Sequence, residues 1–270
     1  MSTKGIYTAV SGAIAQSSKL DTIANNIANT NTTAFKKSKQ VFNEYLTANE
    51  KIPDVIQVPK VPASIESFYD MQGGDKAYVN AAGTYVDHTQ GILKPTGNNF
   101  DLAIEGSGYF EVLAPDGVRL TRDGSFKRDV DGRLVTKQGF PVLLAGAPGA
   151  NPQGRIASTN SNNIVISYSG QIFADGNEVG QISLVDIKNK EALKPTGQNS
   201  FTLKDNYNEP LLIAEEAQVH QGFVEASNVN VVAEMTDMIN ATRTFESTQQ
   251  AIKAFDSMNE KLVNVVPKLR

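Results

Sequence analysis

Two histidines, His88 and His220, are the entire imidazole complement of the chain, and cysteine is absent. Thiol catalysis, disulfides and cysteine-based metal sites are therefore excluded together. The histidines stand far apart, in strand or loop context, and neither has a neighbour at metal-ligand spacing. Both read as core or surface residues. EGSGYFE (105–111) has the outline of a phosphate-cradling loop, but GxGxxG would need glycine where Glu111 stands, and no strong helical pattern follows. GxSxG fails as well, because Ser107 is flanked directly by Gly106 and Gly108. A β-turn accounts for the segment. RDVDGRLV (128–135) places glycine fourth from Asp129, whereas a calcium loop needs it sixth, with glutamate twelfth. A hairpin fits better. Among 29 acidic residues nothing singles out a carboxylate pair. No nucleophile, base or metal set assembles, so the expectation is a protein that is not an enzyme and uses no cofactor.

The unusual feature lies elsewhere. LDTIANNIANTNTTAFK (20–36) begins as an amphipathic helix and then fills with polar residues that form helix poorly. Asn25, Asn26, Asn29, Asn31, Thr30, Thr32 and Thr33 all fall between positions 25 and 33. Upstream, Ile6, Val10, Ala13, Ser17, Leu20, Ala24 and Ile27 recur at alternating spacings of four and three. That is the heptad seam of a helix lying along a partner helix, widened by Ile14 and Ile23. Gly5, Gly12 and the asparagines each cost roughly 0.5–1 kcal/mol relative to alanine in a helix interior. Such a helix is expected to form mainly when its stripe is covered. A second helix is expected near 229–266, with Val231, Met235, Met238, Phe245, Ile252, Phe255, Met258, Leu262 and Val266 at spacings of three, four or seven. Asn228 or Asn230 would cap it, Glu234 suits its positive end, and Pro267 stops it. Thr242 and Gln249 interrupt the stripe. The two terminal helices are natural partners for each other.

Between them the pattern changes to FDLAI, YFEVL, VRLTR, RLVT, NIVISY and QISLVDI, punctuated by Asp116-Gly117, Asp123-Gly124, Asp131-Gly132 and Asp175-Gly176. Asp-Gly between strand-like runs signals hairpins, so residues 91–213 read as antiparallel β, barrel- or sandwich-like. LKPTGNN (93–99) returns as LKPTGQN (193–199), a reused turn leading into a strand. IPDVIQVPKVP (52–62) reads as an extended connector and AGAPGANPQG (145–154) as a surface loop. The fold class is α+β: terminal helices forming a coiled-coil-like layer, plus a central all-β antiparallel domain. The expected domains are a discontinuous helical assembly domain (1–33 and 227–266), a connector (34–75) and a β domain (76–226).

The chain has 270 residues, enough for one or two domains, and a net charge of −4 without a dense basic surface, so nucleic acid is not an expected partner. Lys36, Lys37 and Lys39 read as a solvated linker. No run is long and apolar enough to span a bilayer, and the first thirty residues lack the pattern of a cleavable signal peptide.

Three blocks then agree with one family. GIYTAVSGAIAQSSKLDTIANNIANTNTTAFKKS (5–38) resembles the N-terminal signature of bacterial flagellar rod and hook proteins. TGNNFDLAIEGSGYFEVLAPDGVRLTRDGSFKRDVDGRLVTKQGFPV (96–142) resembles their β block, and HQGFVEASNVNVVAEMTDMINATRTFESTQQAIKAFDSMNEKL (220–262) their closing helix. Two departures are visible: Ala34 where the family usually has glycine, and Phe100 where it has leucine or proline-leucine. The resemblance implies a structural subunit of the basal-body rod. Such a subunit would be exported unfolded by the flagellar type III apparatus without signal cleavage, and would self-assemble with copies and other rod proteins into a helical tube around the export channel. It implies no membrane insertion. The GIYTAVSGA start and TRDGSF are most similar to proximal rod members, with distal members next; hook subunits carry a longer middle. An extracytoplasmic ligand-binding β module, with a deep polar pocket, is the alternative from another class. The expected assembly interface is Ile6, Val10, Ala13, Leu20, Ile23, Ala24 and Ile27 with Val231, Met235, Met238, Phe245, Ile252, Phe255 and Leu262. Asn25, Asn26, Asn29, Asn228 and Asn230 are expected as channel-facing or motif polar residues, since a polar bore would not bind an unfolded substrate in transit.

Overall fold

A computed structural model describes residues 4–46, 77–146, 151–159, 164–204, 210–214 and 216–264. The connector motif 52–62, the middle of the 145–154 loop, the Leu262 side chain, Val266 and Pro267 lie outside the described residues. Chain contacts divide the protein into two compact units. One takes residues up to Asn25, Lys39–Tyr85 and the chain from Val232; the other is Asn26–Ser38 with Val86–Val231. These bounds differ from the expected ones at 26–38, which spans the end of the helical domain 1–33 and the start of the connector 34–75, and at 77–85, which the expected β domain included. Residues 26–38 belong with the β unit, and 38–46 is a strand instead of connector.

In the first unit, α1 spans Lys4–Ala28 and α2 spans Val231–Asn264, with the strands β1 (Ser38–Leu46) and β2 (Ala77–Val86) paired as a two-stranded sheet. Gly5 in the first turn of α1 faces the Phe255 ring of α2, which lies 3.3 Å from where a Cβ would stand. The glycine that costs helix propensity thus lets α1 approach the Phe255 ring closely at this point.

The polar run after Leu20 is only partly helical. α1 ends at Ala28, and residues 29–34 form turns, with Thr30 Oγ1 donating to the carbonyl oxygen of Ile27 and Thr32 Oγ1 to Asn29 Oδ1. Asn and Thr there serve turn chemistry, for which they suit better than a helix interior.

The β unit runs β3 (Leu93–Pro95), β4 (Leu102–Glu105), β5 (Tyr109–Ala114), β6 (Gly117–Thr121), β7 (Lys127–Arg128), β8 (Leu134–Val135), β9 (Ile164–Ile166), β10 (Gln171–Ala174), β11 (Asn177–Gln181) and β12 (Leu184–Asp186). It continues with β13 (Leu193–Gly197), β14 (Ser200–Leu203), β15 (Leu212–Ile213), β16 (Gln218–Gln221) and β17 (Phe223–Glu225). A six-stranded sheet in the order β13-β14-β6-β5-β12-β15 is accompanied by the sheet β11-β10-β9 and by the pairs β16–β4, β17–β3 and β7–β8. Every strand pairing among the described residues of the unit is antiparallel. No closed barrel forms among the described residues; the large sheet is open, with β13 and β15 at its edges.

Successive side chains of β5 point to opposite faces, and both faces are covered. Phe110 and Val112 join the main core with Leu102, Ile104, Val142, Ile182 and Val219. Tyr109 joins a second cluster with Leu120, Val185, Ile187, Leu193 and Phe201. Phe100, at the second family departure, is half-buried against the main core.

Three of the four Asp-Gly pairs lie at hairpins. Asp175 and Gly176 join β10 to β11 with φ of 51° and 85°, the pair of left-handed residues that a two-residue hairpin needs. Gly117 opens β6 directly after the Pro115-Asp116 link, and Asp131-Gly132 lies between β7 and β8. Asp123-Gly124 does not make a hairpin. Gly124 is required for close approach: a Cβ there would stand 1.7 Å from the Leu102 carbonyl oxygen, while Leu102 N donates to Gly124 O at 2.9 Å. EGSGYFE carries the chain as a bend from β4 to β5, which belong to different sheets. The repeated LKPTG places both Gly97 and Gly197 in the left-handed region, at φ 73° and 88°. Gly124→Ala is expected to destabilise the β unit by about 3 kcal/mol or more, because backbone has to move to admit the methyl group; urea unfolding measures it.

Candidate assembly site

The inner face of α2 is one stripe. Val231, Glu234, Met238, Ala241, Phe245, Thr248, Ile252, Phe255 and Asn259 follow at alternating spacings of three and four, and each is buried or half-buried. Apart from Thr242, every other α2 residue whose side chain is described is exposed. Of the expected interface residues, Val231, Met238, Phe245, Ile252 and Phe255 sit on this stripe, whereas Met235 lies off it, 51% exposed. Met258 lies off it too. On α1, Ile6, Val10, Ala13, Leu20 and Ile27 are half-buried, Ile23 is buried and Ala24 is exposed. The most buried line on α1 runs through Ala15, Ile23 and Asn26, offset from the heptad seam. Strand β1 explains the offset: Gln40 bonds Ser18 Oγ (Nε2 donating, 2.9 Å), and Thr22 Oγ1 donates to Gln40 Oε1 at 2.9 Å. That covers a polar flank of α1.

After α1 the chain enters the β unit, and here polar chemistry concentrates. Asn26, 1% exposed, brackets Ser38: its Nδ2 donates to Ser38 O, and Ser38 N donates to its Oδ1, both at 2.9 Å. Asn228 Oδ1 accepts from Lys37 N at 2.7 Å, while its Nδ2 donates to Asp87 O at 2.9 Å and to the Thr89 carbonyl oxygen at 3.1 Å. Asn26 and Asn228 act as clasps that join backbone to backbone. Asn228 is occupied in this way, and Asn230 stands directly before the first residue of α2. Asn25 is exposed and Asn29 half-buried.

Glu225 is the centre of this polar cluster within the β unit. Fully buried, it binds Lys36 Nζ through Oε1 and Arg122 Nη1 through Oε2, the latter at 3.3 Å; the Lys36 and Arg122 side chains are 2% and 4% exposed. Gly91 N donates to the same Oε1 at 2.8 Å, Lys36 Nζ also donates to Thr89 O at 2.8 Å, and Arg122 Nη2 to Gly106 O at 2.7 Å. The backbone repeats the link, with Ala34 N donating to Glu225 O at 2.8 Å. Nearby, Thr33 Oγ1 donates to Asp123 Oδ1, and Asn199 Nδ2 to Thr33 O. Ala34 reaches this position at φ 55°, 1% exposed. It adopts the left-handed conformation that glycine would take freely, at a cost of roughly 1–2 kcal/mol.

Lys36 is thus no solvated linker residue. Burial holds its ammonium below the usual lysine range, with the Glu225 carboxylate pulling the other way. Sequence reasoning missed Lys36, Arg122 and Glu225. The available signal was that each of the three family blocks supplies one of them: AFK, TRDGSF and VEASNVN.

His88 lies between the two acceptors of Asn228, Asp87 and Thr89. It shares a 2.9 Å hydrogen bond with Tyr109 Oη and packs on Phe201. Burial first, then the positive charges of Lys190, Lys36 and Arg122, push its pKa down to about 4, with Asp87 opposing. His220 Nε2 pairs with Glu105 Oε2 at 2.6 Å between the rings of Tyr168 and Phe223. Among the described residues no cluster of His, Asp and Glu could hold a metal ion, and no helix is long and apolar enough to cross a membrane.

The polar groups of the Glu225 cluster hold one segment of the chain to another, an arrangement fit for a structural protein. The family models agree with that class. The flagella basal body rod protein model matches residues 6–36, the flagellar hook protein FlgE/F/G D1 domain model 103–174, and the flagellar basal body rod FlgEFG C-terminal model 220–265. The flagellar basal-body rod protein FlgG of Agrobacterium fabrum is 33% identical over 269 residues, covering 94% of this chain and 96% of that protein. FlgG of Borreliella burgdorferi is 33% identical over 263 residues (94% and 96%), and FlgF of Rhizobium meliloti 28% over 262 residues (97% of each). The chain belongs to the flagellar basal-body rod protein family. It is a structural subunit of the rod, located in the flagellar basal body and assembling with other rod proteins, and it is not an enzyme.

Two outcomes follow for the cluster. Glu225→Gln leaves Lys36 and Arg122 buried without a carboxylate and is expected to cost about 3–5 kcal/mol. Lys36→Met keeps the Arg122–Glu225 pair and removes the surplus positive charge, so it is expected to cost under about 2 kcal/mol; urea melts compare them. For pH, His88 is neutral in the folded protein, while the unfolded chain takes up its proton near 6.5. The unfolded state therefore binds more protons between about 6.5 and 4, and stability falls as pH drops through that window. Urea midpoints at pH 7, 5.5 and 4 are expected to fall less steeply in His88→Phe than in the wild type.

Proposed function

We propose that this chain builds the proximal level of the rod, its two terminal helices packing as a coiled-coil-like layer against those of copies and other rod subunits around the export channel. One observation carries this reading. The α2 stripe at Met238, Phe245, Ile252 and Phe255 stays only half-buried in the single chain. Completing the burial of large apolar side chains offers roughly 1.5–3 kcal/mol for each one fully covered. Further apolar groups stand on the outer faces: Tyr7 and Ile14 on α1, and Val232, Met235 and Ile239 on α2. Neighbouring helices would cover them. The interface comprises the α1 seam from Ile6 to Ile27 and the α2 stripe from Val231 through Leu262, and exposed Asn25 faces the bore with Asn29.

Helices of modest propensity suit a subunit that the flagellar type III apparatus exports unfolded and that orders fully only on assembly. The proximal level follows from the GIYTAVSGA start and the TRDGSF block; relatives named FlgF and FlgG both span the chain. Phe245→Asp is expected to leave the β unit folded, with an unchanged urea midpoint, and to remove the protein from isolated basal bodies and abolish swimming. Normal motility of that variant would dismiss the seam. Electron cryo-microscopy of basal bodies carrying the tagged wild type should find the tag at the membrane-proximal end of the rod; density at the hook end would contradict the level.

A further inference from the structure

The last strands of the β unit complete its first ones. β4 places Leu102, Ala103 and Ile104 in the core, fully buried, yet among the described residues its one partner strand is β16, with Val219 opposite Ile104. β3 likewise pairs with β17 alone. Between β16 and β17, Gly222 turns the chain at φ 78°, accepts from Thr96 N at 2.8 Å and donates to Asp101 O at 2.7 Å. Without residues 217–225 the buried backbone of β4 would lose its ladder, and unpaired buried amides are costly.

Side chains extend the same closure. Gln221 bonds as a strand would: its Nε2 donates to Asn99 O, 122 positions away, and to Ile164 O, both at 2.8 Å, while its Oε1 accepts from Ile166 N at 3.1 Å. One amide thus holds both ends of β9. Val219 N donates to Tyr168 O at 2.9 Å, and the Val219 side chain fills the main core with Ile104 and Ala217. Glu225 supplies the carboxylate for Lys36 and Arg122. Before it arrives, closing the unit would bury both cations without it.

We propose that residues 217–225 are a closing latch: the β unit has no stable folded form until this segment docks, so a chain made from its N-terminus stays open until residue 225 exists. Synthesis runs in that direction, and contacts this distant in sequence form only after the long loop between them closes. β5 and β6 lie next to each other in the chain and pair early, but the core they line then lacks a wall. Such a delay suits the unfolded export proposed above. The latch itself stands on the strand order, and its test does not depend on that reading.

Native-state hydrogen exchange of the full chain, followed through low urea concentrations, is the test. The Val219, Gly222 and Ala226 amides bond in the latch and directly after it, whereas those of Leu113, Leu143 and Ser183 bond elsewhere in the unit. All should show one opening free energy and one urea dependence, because release of the latch opens the whole unit. Gln221→Ala should raise all of these rates by a common factor of about ten or more. Latch amides that exchange more than about tenfold faster than Leu113, Leu143 and Ser183, with little dependence on urea, would reveal a unit that stays folded with the latch released. That result would overturn the proposal, as would a Gln221→Ala chain in which the latch amides alone speed up. Should Gln221→Ala fail to fold, the comparison within the wild type decides by itself.

Discussion

The structure depends on one buried carboxylate. Glu225 is shut off from water, yet it faces an ammonium and a guanidinium, and the three groups together carry one surplus positive charge. Replacing such a cluster with apolar side chains of similar volume is often neutral or stabilising, so its presence is not explained by stability alone. It gives geometric uniqueness. Glu225 belongs to the segment that leads into α2, Lys36 to the segment that leaves α1, and Arg122 to the end of β6. The native arrangement of those segments brings all three charges together, and a misdocked one would leave at least one charge buried alone. The Asn26 and Asn228 clasps add the backbone to the same node. Charge selects the partners, and the amides fix the register.

That node also accounts for Ala34. A left-handed alanine costs energy that glycine would avoid, but Ala34 N must reach the Glu225 carbonyl oxygen and its methyl group is buried. The surrounding contacts hold the residue there despite the strain, as expected where structure over-determines a backbone position.

The sequence made much of the fold legible where local rules decide it. The spacing of apolar residues marked both helices, and Asp-Gly marked three hairpins, because turn conformation is a property of two or three neighbouring residues. Asp123-Gly124 misled because its glycine answers to the backbone of Leu102, which no local rule sees. Barrel or sandwich was left open for a related reason: sheet closure depends on which strands become neighbours, and among the described residues β13 and β15 remain edges. The α1 seam shifted toward Ala15, Ile23 and Asn26 because β1 covers one flank of the helix. The polar cluster was the least legible part. Lys36 in AFKK looks like any solvated lysine, and it is buried only because Glu225, 189 positions away, lies over it.

The helices and the node divide the work between them. The node lies within the single chain, its one carboxylate bonded to both cations while Arg122 Nε stays without a partner, whereas the α2 stripe is largely half-buried. The node thus ties residues 26–38 and the segment before α2 to the strands of the β unit. Native-state hydrogen exchange resolved to single amides tests this most directly. The Ala34 and Lys37 amides, which donate to Glu225 O and Asn228 Oδ1, should exchange as slowly as the Leu102 and Leu113 amides of the β core, through global unfolding alone. Exchange at Ala34 and Lys37 that is orders of magnitude faster, with the core still protected, would show the node opening by itself and would contradict the account.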